Sequence, residues 1–260
     1  MVFSYLYPLQ KEMMNIKQYL DSTYLKTPEQ AGLTEAENKI VVQGFIQEAI
    51  DEHFKLIMIR PNMVSMAKKM INDANSQVTI GTVIGFHEGT YSLDEKLEEA
   101  RKAIEDGADD LDFVCNYEAF QKGEINLVKN EILEGTRLGL AHNKIVKWII
   151  EVAALNSGQI IQLSTLIKNV VMSNFKEESY NDVFVKSSTG FYKTENGLPN
   201  GATVPTIIMM LENASPLSIK AAGGVRTYDE AIEMITLGVK RIGTSSAKAI
   251  ANGEKTTSDY

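Results

Sequence analysis

Short runs rich in aliphatic and β-branched residues punctuate this chain at 19–25, 56–60, 78–86, 111–115, 145–152, 183–188, 218–222 and 241–245, with amphipathic stretches between them. Their recurrence, roughly every 20–40 residues, is the period of a strand–helix unit. Eight such units predict an α/β fold, a closed (β/α)8 TIM barrel. An open doubly wound sheet is the alternative that alternation alone does not exclude. In both, ligands bind at the carboxyl ends of the strands. The intervening stretches carry their own start and stop signals. SLDEKLEEARKAIEDG (92–107) opens on Ser92 with Glu95 three residues on, a capping box, and closes on Gly107. TYDEAIEMITLG (227–238) runs in the same way from Thr227 to Gly238. The length of 260 residues suits a single barrel domain over 1–260, with a short N-terminal helical extension and a polar tail from about residue 252. The tail ends on Tyr260, whose ring would have a use if it docked over the mouth of the site and assisted proton transfer.

Strands covered on both faces should be almost free of charge, because burying an unpaired ion is costly. Here four of them carry ionisable residues: Asp112 in LDFVC, Lys147 and Glu151 in VKWIIE, Lys186 in VKSS and Lys220 in SIKAA. Alternation along a strand puts Lys186 on one face with Phe184 and Ser188, and Val183 and Val185 on the other. It puts Lys147, Ile149 and Glu151 together, and separates Asp112 from Cys115. Cys115 is therefore expected to pack against a helix rather than to act as a nucleophile.

Two lysines facing one lumen have a chemical use. A lysine attacks a carbonyl only when neutral, and both burial and a neighbouring ammonium lower its pKa. Lys186 and Lys220, on adjacent strands, fit the pair, with Asp112 placed to move protons. The alternative stays open at this point: the two lysines bind a phosphate, or pair with Asp112 and Glu151.

Three glycine-bearing segments follow the sixth to eighth strands: SSTGF (187–191), AAGGVRT (221–227) and IGTSSA (242–247). Glycine lets backbone N–H groups approach a phosphate, and serines add donors. Gly190, Gly223, Gly224, Ser245 and Ser246 are the expected donors. Arg226 either stays near the anion or pairs locally.

The net charge of −8 argues against a broad nucleic-acid surface. No apolar stretch approaches the roughly 20 residues of a membrane span. His53, His87 and His142 stand apart from one another and from metal-ligand spacings, so no metal is expected. No phosphate-loop or dinucleotide fingerprint calls for a nucleotide cofactor. One cysteine and an N-terminus without a basic, cleavable signal fit the cytoplasm.

VKSSTGF (185–191), IKAAGGVRT (219–227) and IGTSSA (242–247), in this order, resemble the deoxyribose-phosphate aldolase family. GADDLDFVCNYEAFQKGE (107–124), KWIIEV (147–152), TVIGF (82–86) and YLDSTYLK (19–26) extend the resemblance from about residue 15 to 248. It implies a (β/α)8 barrel that reversibly cleaves 2-deoxy-D-ribose 5-phosphate to acetaldehyde and D-glyceraldehyde 3-phosphate, without cofactor or metal. It implies Lys186 as the Schiff-base lysine, Lys220 as its partner and Asp112 as the proton relay. The phosphate would fall on Gly190, Gly223, Gly224, Ser245 and Ser246, and the sugar hydroxyls on Asp21 and Thr189. The chain departs from the family pattern at Ser22 in DSTYLK, Arg60 in MIRP, and His87 and Glu88 in GFHEG, and KSSTG replaces KTSTG. These positions bear on substrate preference. The alternatives are an aldolase or isomerase acting on another phosphosugar, and a sugar-phosphate binding protein without catalysis. The last predicts a missing lysine or aspartate, and all three are present. A homodimer is a further expectation for a barrel, although no apolar stripe marks an interface.

Overall fold

Eight strands, β1 (Leu20–Thr23), β2 (Leu56–Ile59), β3 (Thr79–Ile84), β4 (Asp110–Val114), β5 (Ile145–Ile149), β6 (Val183–Lys186), β7 (Ser218–Ala222) and β8 (Arg241–Thr244), pair in sequence order. Every pairing is parallel, and β8 returns to β1 with Asp21 opposite Gly243, which closes the barrel. The closed order settles the choice left open between barrel and open sheet. The computed structural model describes residues 15–254 apart from Asn196. The proposed docking of Tyr260 lies outside the described residues. So does most of the expected N-terminal extension, of which a 3₁₀ turn, Ile16–Tyr19, is described.

The helices between strands begin and end where their caps dictate. Ser92 and Glu95 exchange hydrogen bonds at the head of helix Leu93–Asp106, and Gly107 ends it with φ 106°. Thr227 and Glu230 do the same for helix Tyr228–Leu237, which ends at Gly238. A left-handed residue there frees the chain to turn back into the next strand.

Strand parity holds as the alternation requires. Val183 and Val185 join the apolar shell under the helices. On β4 and β5 the outward residues Phe113 and Trp148 stack at 4.9 Å, and the indole N–H donates to Thr136 Oγ1 at 2.9 Å. Gly135, on helix Ile125–Ala141, leaves room for that ring. Buried Cys115 belongs to this shell. Inside the barrel the residues are of two kinds. Leu56, Met58 and Gly81 fill one side, where a side chain on residue 81 would collide with Met58. The other side is filled by ions.

Candidate active site

Three carboxylates and four cations meet inside the barrel. Asp112 is the hub. Its Oδ2 accepts from Lys186 Nζ at 3.0 Å and from Lys220 Nζ at 2.9 Å, while Oδ1 accepts from Lys147 Nζ at 2.8 Å. The register explains the convergence: Asp112 lies opposite Lys147, and Lys186 lies opposite Lys220. Lys147 also reaches Asp110 at 2.6 Å, and Lys220 reaches Asp21 at 2.6 Å. Arg241 joins Asp21 at 2.6 Å and Asp110 at 3.4 Å. All seven side chains are almost wholly buried.

The charges are set by one another. Burial alone would raise the Asp112 carboxyl, but Lys147, Lys186 and Lys220 outweigh it and hold it well below the usual carboxylate range. Asp21 is likewise lowered, against its burial, by Arg241 and Lys220. Lys147 is raised, because Asp110 and Asp112 overcome its desolvation. Lys186 moves the other way. Burial and the adjacent Lys220 and Lys147 outweigh Asp112, and its pKa falls to about 8. Lys186 is the cation in excess of the three carboxylates, so it is the one most readily discharged.

Glu151 stands at the end of β5 in a left-handed conformation, φ 53°. Its carboxyl accepts Ser188 Oγ at 2.8 Å, Thr189 N at 3.1 Å and the Thr189 hydroxyl. Burial raises its pKa, against those hydrogen bonds and Lys186. It ties down the turn between Lys186 and Gly190. The sequence identified Glu151 as a lumen charge, but not the left-handed residue that aims it. Asp110 and Arg241 were missed altogether: one sits in the acidic run at 109–110, and the other begins its strand.

A cavity of about 790 Å³ opens beyond these turns. All five expected phosphate donors, Gly190, Gly223, Gly224, Ser245 and Ser246, line it, as does Arg226. Gly223 and Gly224 are left-handed, at φ 76° and 91°, which turns the chain sharply at the end of β7. The Gly190 and Ser246 amides already donate to Ser188 Oγ and Thr244 Oγ1, at 2.9 and 3.1 Å. Lys193, outside every motif, and Lys26, the last residue of YLDSTYLK, add cationic side chains to the wall. Of the two residues expected at the sugar hydroxyls, Asp21 is paired with Lys220 and Arg241, and the Thr189 amide donates to Glu151.

The loops after β3 and β6 meet although their strands lie three apart round the barrel. Phe191 packs edge-on against Phe86 at 5.1 Å and His87 at 5.7 Å. Arg60 lies over Phe86 at 4.7 Å and donates from Nε to Leu25 O at 2.7 Å. Arg60 and His87, two of the positions singled out in the sequence, thus share one aromatic cluster. Ser22, on the strand face opposite Asp21, is buried and has no hydrogen-bond partner for its hydroxyl. Among the described residues no group of three or more His, Cys, Asp or Glu could hold a metal ion. No helix among them is long and apolar enough to cross a membrane.

The family model for DeoC/LacD family aldolases matches residues 29–251. The chain is 36% identical to a deoxyribose-phosphate aldolase of Thermococcus gammatolerans, over 93% of this chain and 97% of that protein. It is 35% identical to one from Caldicellulosiruptor saccharolyticus, over 91% and 97%. The tetrameric deoxyribose phosphate aldolase structure from Aeropyrum pernix superposes with a TM-score of 0.73 at 25% identity, covering 91% of this chain and 89% of that one.

Proposed function

This chain belongs to the DeoC/LacD family of aldolases, and on that premise we propose that it reversibly cleaves 2-deoxy-D-ribose 5-phosphate to acetaldehyde and D-glyceraldehyde 3-phosphate through a Schiff base on Lys186. The observation that carries the assignment of the nucleophile is the pair of lysines on one oxygen of Asp112, with Lys186 lowered to about 8.

Neutral Lys186 adds to C1 of the open-chain sugar, and loss of water gives an iminium ion. The C2–C3 bond then breaks. Its electron pair enters the iminium to form an enamine, while the C3 hydroxyl loses its proton and becomes the aldehyde of glyceraldehyde 3-phosphate. Protonation of the enamine at C2 and addition of water release acetaldehyde and restore the amine. Asp112, held ionised, and Lys220, hydrogen-bonded to it, relay these protons through water. The iminium keeps beside Asp112 the unit charge that the Lys186 ammonium had there, so no new charge is buried as it forms. Gly190, Gly223, Gly224, Ser245 and Ser246 hold the phosphate, and its binding orients the reacting carbons. Thr189 and Asp21 contact the sugar hydroxyls. The reaction takes place in the cytoplasm, in deoxyribonucleotide catabolism, in one barrel domain that acts alone or as a homodimer, without cofactor or metal.

Acetaldehyde with borohydride, followed by peptide mass mapping, tests the assignment. A reduced two-carbon adduct on Lys186 is expected. An adduct on Lys220 would reverse the two lysine roles. Folded protein with no adduct would end the Schiff-base reading.

A further inference from the structure

Six of the seven buried ions close into a ring of alternating sign. From Arg241 it runs to Asp21 (2.6 Å), Lys220 (2.6 Å), Asp112 (2.9 Å), Lys147 (2.8 Å), Asp110 (2.6 Å) and back to Arg241 (3.4 Å). Each member touches a partner of opposite charge on both sides, and the ring as a whole is neutral. Lys186 is not in it. It hangs from the ring by the single contact to Asp112 Oδ2 at 3.0 Å.

A neutral closed ring of buried ions resists a lasting change in its net charge, because discharging one member takes from each of its two neighbours one of their partners. Lys147 and Arg241 are raised and Asp21 and Asp112 are lowered, all in the direction that keeps them charged. The seventh charge has no such protection. Lys186 is faced by Asp112 from β4, Lys147 and Glu151 from β5 and Lys220 from β7. Whichever charges the ring carries therefore decide how readily Lys186 gives up its proton.

We propose that Lys147, Asp110 and Arg241 are positioning residues that complete this ring and, through Asp112, set the pH at which Lys186 becomes a nucleophile. The proposal rests on Lys186 being the Schiff-base lysine, and it makes a prediction of sign that a scaffolding role does not. Lys147→Met removes a like charge and leaves Asp112 Oδ1 for Lys186 to share. The ammonium is then better held, and the acid limb of Schiff-base formation moves up by about one pH unit, roughly a tenfold loss at neutral pH that alkali restores. Asp110→Asn removes a carboxylate and moves the limb down. Lys147→Arg keeps the charge and leaves the limb where the parent has it. The double variant Lys147→Met with Asp110→Asn moves it back towards the parent. Glu151 is untouched in all of them.

The test is the rate of cyanoborohydride-trapped acetaldehyde adduct on Lys186 of the whole chain, followed across about pH 6–10, with thermal melting to select folded variants. Opposite shifts for the two single variants, or the predicted shift in whichever folds with Lys147→Arg unmoved, are the expected result. Lower trapping at every pH with an unmoved midpoint would overturn the ring's role while leaving the Schiff base intact. Absence of any Lys186 adduct in the parent protein would instead remove the functional reading beneath it.

Discussion

Lys186 and Lys220 are the same residue type on neighbouring strands, and what separates them is connection. Lys220 is gripped between Asp21 and Asp112, whereas Lys186 has Asp112 alone. Cys115 makes the same point for a different nucleophile. Its thiol is pushed well up, first by burial and then by Glu131. A thiolate is the reactive form, so this cysteine should be inert. Iodoacetamide at about pH 8, near the ordinary thiol pKa, should leave aldol cleavage unchanged and label Cys115 only when denaturant is added. Rapid labelling with parallel loss of activity would show that the β4 end opens to solvent. This outcome was legible from strand parity, which set Cys115 opposite Asp112. The left-handed backbone of Glu151 was not legible, because nothing in EVAAL distinguishes it from ordinary strand-end residues.

At the scale of strands and helices, local rules succeed and non-local ones are invisible. The capping boxes at Ser92 and Thr227 involve residues three apart, so the chain displays them directly. The strand runs are visible for the same reason, and Lys186, Lys220 and Asp112 came with them because a charge in an apolar run stands out. Arg241 and Asp110 lie at strand starts, where charge is ordinary, and only barrel closure brings β8 and β4 residues into contact. The aromatic cluster of Phe86, His87 and Phe191 is equally non-local. Strand β8 carries a further element-level consequence. A Cβ on Gly243 would stand 3.1 Å from Lys220 Cε and 3.3 Å from Ala222 Cβ. Glycine there makes space for the Lys220 stem across the β7–β8 pair. Gly243→Ala should fold with little change in melting temperature, yet lower kcat by roughly threefold to tenfold, since the Lys220 stem must give by a few tenths of an ångström. The Lys186 adduct should still form, since that lysine does not touch Gly243. A variant with normal kcat would show that Lys220 has slack at its stem.

For the whole molecule, the ion cluster sets stability against pH and opposes it to activity. Asp21 and Asp112 have folded pKa values below their unfolded ones. They therefore stabilise the barrel above the ordinary carboxylate pKa, and that contribution is lost as the pH falls through their folded values. Lys186 acts with the opposite balance. Its folded pKa of about 8 lies below that of an unfolded lysine, so between the two values the unfolded chain binds more protons and stability rises with pH. Below about 8 the full penalty of holding this ammonium in the barrel is present. Lys186→Met keeps most of the side-chain volume and leaves the six-membered ring closed and neutral. The variant should be inactive, form no acetaldehyde adduct, and be more stable than the parent at pH 7 by up to roughly 3 kcal/mol, the scale of a lysine pKa lowered to about 8. Its advantage should shrink as the pH is raised past the Lys186 value towards that of an unfolded lysine, because the parent then sheds the same charge. Urea denaturation of both proteins at about pH 7 and again near the ordinary lysine pKa measures this. A variant less stable than the parent at neutral pH would mean that Asp112 needs all three of its lysines, and that Lys186 belongs to the scaffold as much as to the chemistry.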